Sequence, residues 1–198
     1  MLALFASLTA LASQPAQSEC SYDREEELSR DVVSFDQTEG RGWRPLYDAG
    51  CYIEAAELLR DWQLEHGEDF DLANPRDRSL ARILVWHEAQ MWAFGERTEL
   101  AVPIFEETYS EEESAGAWNL YVDGTLAFLS RDKLGLETAI KKLAAIPKPP
   151  GWDSAVGADG QPISLPWPQN LDVLQALSRC WDQAYSVAYV CRNIPELR

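Results

Sequence analysis

From residue 53 to residue 145 apolar side chains recur every three or four positions, and no convincing run alternates apolar with polar residues. That period belongs to helices and leaves no material for a half-buried sheet. Ile53, Ala56 and Leu59, with Ala55, Leu58 and Trp62, form one broad apolar stripe that stops at Gly67. A second helix is expected from Ser79 through Ile83, Trp86, Gln90 and Ala93 to Gly95. Thr98 is placed to cap a third that carries Glu99 in its first turn and Ala101, Ile104, Phe105 and Thr108 at helical spacing. Pro103 is tolerable there because it falls within the early turns. Ser114 to Leu129 and Asp132 to Ala145 read the same way, and Pro147 ends the last of them. The class predicted is all-α.

These helices fall into pairs with short links at 95–97 and 130–131. Gly50-Cys51-Tyr52-Ile53-Glu54-Ala55 resembles the turn and second-helix start of a tetratricopeptide repeat. In that family a small residue of the first helix stands twelve before a small residue of the second, which lets the two backbones approach. Ala89 and Ala101 have this spacing, as do Ala127 and Ala139; Phe105 and Leu143 follow four later, and Trp92 falls where the family places an aromatic. Taking Ala55, Ala101 and Ala139 as equivalent gives intervals of 46 and 38 over residues 41–147, with no good first helix in the first unit. The resemblance implies a short α-solenoid whose concave surface holds a peptide or a partner protein, without catalysis of its own. An irregular helical bundle is the competing architecture.

Pro147, Pro149, Pro150, Pro162, Pro166 and Pro168, with Gly151, Gly157 and Gly160, exclude helix from 147 to 169. Trp152 and Trp167 predict an ordered loop packed on the helical body, because a solvated tether seldom carries two indoles. Leu171 to Leu177 and Ala184 to Val190 then supply a final helical pair that caps the row. The expected organisation is thus a leader at 1–18, a helical-repeat body at 19–146, a Pro/Gly-rich loop at 147–169 and a cap at 170–198.

Leu2 to Ala12 is an apolar run too short to span a bilayer, and Ala10-Leu11-Ala12 and Ala16-Gln17-Ser18 offer small-residue cleavage patterns. A secretory signal peptide is therefore expected, with no membrane insertion after its removal. Cys20, Cys51, Cys180 and Cys191 survive that removal, and an even number in an exported chain reads as two disulfides. Short loops favour Cys20 with Cys51 and Cys180 with Cys191 among the three possible pairings. In one continuous helix residues 180 and 191 would stand about 16 Å apart, so the second pair requires a break near Trp181 to Gln183. No Cys-x-x-Cys spacing exists and His66 and His87 are the sole imidazoles, so neither a metal nor another cofactor is expected. No Asn-x-Ser/Thr site occurs, which fits a bacterial periplasm or secretome.

The formal charge of -16 leaves no excess of Lys and Arg to release counterions from nucleic acid or to attract an anionic membrane. Residues 19–130 hold 26 acidic and nine basic side chains, whereas 131–198 hold seven and eight. The densest acidic runs are Glu25 to Glu27, Glu65 to Asp71 and Glu106 to Glu113. Glu106, Glu107, Glu111, Glu112 and Glu113 form the candidate surface for a positively charged protein or peptide.

Catalytic signatures are sparse. His87-Glu88-Ala89-Gln90-Met91 begins like a zinc-peptidase helix, but Met91 replaces the second ligand. The 65–71 run lacks the alternating oxygens and central Gly of a calcium loop. Eight tryptophans invite sugar stacking, yet Trp86 and Trp92 lie about 240° apart on a helix wheel and better suit packing between helices. The leading expectation is a non-enzymatic protein- or peptide-binding protein of the cell envelope. The alternatives are an acidic inhibitor or immunity protein for a basic secreted toxin or hydrolase, and an all-α enzyme using paired carboxylates on cell-wall glycans.

Overall fold

A computed structural model describes residues 20–112, 116–154 and 164–191, and among them every regular element is helical. Two short helices, α1 (Arg24–Leu28) and α2 (Arg44–Asp48), flank a π-helical turn at Val33–Gln37 and lead into α3 (Tyr52–His66). There follow α4 (Pro75–Phe94), α5 (Thr98–Glu107), α6 (Gly116–Leu129), α7 (Lys133–Ala144), α8 (Leu171–Arg179) and α9 (Tyr185–Val190).

Local chemistry sets the boundaries. Asn74 Oδ1 accepts from the Arg76 amide at 2.9 Å with Pro75 in the first helical position, so α4 begins four residues before the expected Ser79. Asp132 caps α7 through the Gly135 amide at 2.9 Å. Thr98 lies inside α5 and makes no cap, because Arg97 occupies that position. The segment before α3 contains a first helix after all, the five residues of α2.

One turn recurs three times. Gly50, Glu96 and Arg131 take left-handed φ values of 77°, 59° and 60°, each two residues before the next helix begins. Cys51, Arg97 and Asp132 then donate their amides back to Leu46, Trp92 and Ala127 at 2.8, 2.9 and 2.8 Å. This is the Schellman arrangement, which satisfies a carbonyl left over at the helix end. It joins α2 to α3, α4 to α5 and α6 to α7 by the same three-residue link. Superposing the turns equates Ala55 and Ala101 with Leu136, not with Ala139, and Ala89 with Gly124. The interval from 96 to 131 is 35 residues, against the 38 read from Ala139. Ala89, Ala101, Ala127 and Ala139 are all buried.

The core is aromatic at two centres. Trp86 of α4 lies 4.5 Å from Phe105 of α5 and 4.6 and 4.9 Å from Tyr121 and Trp118 of α6. Phe94, at the other end of α4, meets Tyr47 and Tyr52 on one side and Tyr185 and Tyr189 of α9 on the other. The last pair is therefore tied to the middle of the chain, because α9 folds back on α4. Close approach to α8 comes from Gly124, where an added Cβ would fall 2.6 Å from Leu174 Cδ1.

Cys20 is bonded to Cys51 and Cys180 to Cys191, with Cα separations of 5.5 and 6.4 Å. The second bond is possible because α8 stops at Arg179 and α9 starts at Tyr185, leaving a turn where a break is needed. Two disulfides fit an oxidising compartment. Among the described residues no helix is long and apolar enough to cross a membrane. In the proline-rich region Trp152 donates to the Leu165 carbonyl and Trp167 to that of Ile146, both at 3.0 Å, with the two rings 4.6 Å apart. Residues 1–19, which include the expected leader, lie outside the described residues, as do 113–115, 155–163 and 192–198.

Candidate functional site

The acidic run after α5 is held as a strap between α4 and α6. Thr108 closes α5 by donating its hydroxyl to the Phe105 carbonyl at 2.7 Å, and Trp118 of α6 donates to the Thr108 carbonyl at 2.8 Å. Asn119, one residue on, brackets Ser110: its Oδ1 accepts the Ser110 amide at 2.9 Å and its Nδ2 donates to the Ser110 carbonyl at 2.8 Å. At the α4 end Arg78 bonds Glu112 Oε1 through Nε at 3.0 Å and also donates to the Leu72 and Ala73 carbonyls. With the backbone fixed on both sides, Tyr109 projects outward with 41% of its surface exposed.

Tyr109 separates two depressions. One, of about 540 Å³, lies along α4 and is lined by Arg78, Arg82, Val85, Glu107 and Glu111. The other, of about 500 Å³, lies between α6 and α7 and is lined by Asp123, Leu126, Ser130, Leu134, Thr138 and Lys142. The Tyr109 hydroxyl donates to Asp123 Oδ1 at 2.6 Å, bridging the two. Burial, reinforced by the Asp123 carboxylate, pushes the phenol pKa well above its ordinary value, so this donor keeps its proton throughout the physiological range.

The predicted acidic residues do not behave alike. Glu106 and Glu107 are exposed at the end of α5, and Glu111 is exposed on the strap. None of these three makes an ion pair among the described residues. Glu112 is committed to Arg78 at 2.9 Å and lies 3.8 Å from Arg82, so part of the expected acidic face is neutralised from within. Glu113 lies outside the described residues. Tyr109, Asn119 and Asp123 escape a reading by acidic runs. A lone aromatic inside such a run is the one signal that marks Tyr109.

Two carboxylates are buried elsewhere. Asp36 Oδ1 accepts from His87 Nδ1 at 2.7 Å and Trp43 Nε1 at 2.9 Å, Gln37 bonds the other oxygen, and Arg44 donates to the Asp36 carbonyl. Burial alone would raise its pKa, but the His87 and Trp43 bonds outweigh burial and hold it below the ordinary carboxylate value. Glu88 accepts from Gln63 at 2.8 Å and Trp92 at 3.2 Å, and here burial prevails and its pKa is raised. Neither residue lines the two depressions beside Tyr109. His66, in the second acidic run, stacks on Trp62 and places one ring nitrogen 2.8 Å from the Leu28 carbonyl and the other 3.1 Å from Asp69. Trp43, Trp62, Trp86 and Trp92 are buried, which removes them as sugar-stacking platforms.

The sole cluster of metal-ligating side chains among the described residues is Cys20, Cys51 and Glu54, and its two sulfurs are spent in a disulfide. Comparison with family models, with characterised proteins and with solved structures gives no match for this chain.

Proposed function

We propose that this chain is an exported, non-enzymatic helical-repeat protein that binds a basic, extended segment of another protein across the strap at Tyr109. The three equal turns and the 35-residue interval support a short tetratricopeptide-like solenoid, close to the roughly 34-residue period of that family. In this reading 1–18 is a signal peptide, the compartment is a bacterial periplasm or the medium, and the pair α8–α9 caps the row.

The observation that carries the proposal is the pair of depressions meeting at Tyr109, rimmed by the unpaired carboxylates of Glu107, Glu111 and Asp123. The carboxylates of this rim outnumber its cations, and Arg78 is already held by Glu112, which favours a cationic partner and speeds its encounter. Because binding would exchange screened charges at a solvated rim, its affinity should fall as salt rises. The test is fluorescence anisotropy of the mature chain with labelled basic peptides at low and at moderate salt. Replacement of Glu106, Glu107 and Glu111 together by Gln is expected to weaken binding by about tenfold. Binding that survives the triple replacement and ignores salt would overturn the proposal. A basic toxin or hydrolase held in check is the form this takes if the captured partner is itself an enzyme, read by loss of its activity on mixing.

A further inference from the structure

The α6–α7 half of the groove differs in kind from the α4 half, because its hydroxyl protons are already committed. Ser130 donates to the Leu126 carbonyl at 2.8 Å, Thr138 to the Leu134 carbonyl at 2.7 Å, and Tyr109 to Asp123 Oδ1 at 2.6 Å. A hydroxyl that has spent its proton is left with acceptor lone pairs alone. Asp123 Oδ2 is an acceptor too, and no cation pairs with this carboxylate among the described residues. Lys142 is the exception on this wall, and Asp123 with Asp132 outweighs it in charge. Asp132 itself is occupied in capping α7.

A pocket of about 500 Å³ that offers acceptors, a negative balance and apolar flanks at Leu126 and the 73%-exposed Leu134 suits a ligand with several donors and no acceptor. Among protein side chains arginine answers that description best: five N–H donors in a plane, with a three-carbon stem to lie on the leucines. The exposed Tyr109 ring adds a face on which a planar guanidinium stacks and an ammonium gains less.

We infer that the depression between α6 and α7 is an arginine subsite, in which Asp123, positioned by the Tyr109 hydroxyl, receives the guanidinium of a partner's arginine. This rests on the reading of the groove as a site for a basic segment and adds to it the identity of one seated residue. Tyr109 positions Asp123 through its hydroxyl and offers its ring to the same guanidinium.

The probe is a blocked, fluorescein-labelled peptide of alternating arginine and glycine, compared with its lysine and citrulline counterparts by anisotropy on the mature chain. The arginine peptide is expected to bind about fivefold tighter than the lysine peptide and the citrulline peptide weakest. Asp123→Asn, an exposed substitution whose folding is checked by melting temperature, is expected to cost the arginine peptide about tenfold and to erase the preference for arginine over lysine. If the wild-type chain binds both basic peptides equally, or Asp123→Asn leaves arginine binding within about twofold, the subsite falls while the wider groove stands. If the wild-type chain binds neither basic peptide, the groove reading falls with it.

Discussion

Asp36 is completely buried, and its two carboxylate oxygens, with the carbonyl of the same residue, are bonded by Trp43, His87, Gln37 and Arg44. Through this residue the segment before α3 is fastened to α4, so a change here acts on a long-range contact and not on a local turn. Asp36→Asn replaces one acceptor by a donor among groups that all donate. Loss of one partner from a buried, charge-assisted cluster costs about 3 kcal/mol, measured by urea denaturation. The pH dependence follows from the depressed pKa. The stability contributed by Asp36 is fully present above the unfolded value near 3.9 and is lost as pH falls through the lower folded-state value. Between pH 5 and pH 3 the wild-type urea midpoint should therefore fall more steeply than that of Asp36→Asn; parallel curves would show that the Asp36 pKa is not depressed in the fold. None of this was legible in the sequence. Asp36 stands in a stretch without helical period, and its partner His87 lies 51 residues away.

At the level of elements, helix periodicity was informative and helix register was not. The apolar stripes placed α3 to α9, and they missed chiefly where the signal was polar, as at Asn74-Pro75 before α4. Turn equivalence was hidden because Gly50 alone of the three left-handed residues is a glycine; Glu96 and Arg131 take the same conformation with side chains that disfavour it. Ala139 looked like the counterpart of Ala101 for the same reason, since Leu136 stands at the equivalent place and small size was the only guide. Glu96→Gly should stabilise the fold by about 1 kcal/mol, because glycine adopts positive φ without the Cβ penalty. Arg131→Gly should not, because the guanidinium also donates to the Trp181 and Gln183 carbonyls and so ties α6 to the turn before α9. Paired urea melts decide this, and a loss of stability in Glu96→Gly would mean that the link between α4 and α5 does not require the left-handed residue.

For the whole molecule the contact that matters most is the return of α9 to α4. A linear stack of hairpins gains stability from nearest neighbours and unfolds piecemeal once one interface weakens. Here α9 returns to α4 through Phe94, whose ring lies 5.3 Å from that of Tyr185 and 5.2 Å from that of Tyr189, while its other side meets Tyr47 and Tyr52. One side chain thus joins the first hairpin, the second and the last, and the Cys180–Cys191 bond keeps the last hairpin from opening on its own. Unfolding of the oxidised chain should accordingly be a single transition, with calorimetric and van't Hoff enthalpies that agree. Phe94→Ala removes the shared contact and should cost about 4 kcal/mol. If coupling runs through Phe94, the variant should also broaden or split the transition, with the Cys180–Cys191 hairpin exchanging its amide hydrogens ahead of α3 and α4. A variant that loses stability but keeps one sharp transition, with α9 protected as long as α4, would show that the hairpins are coupled by their neighbour contacts and that the return of α9 to α4 is incidental.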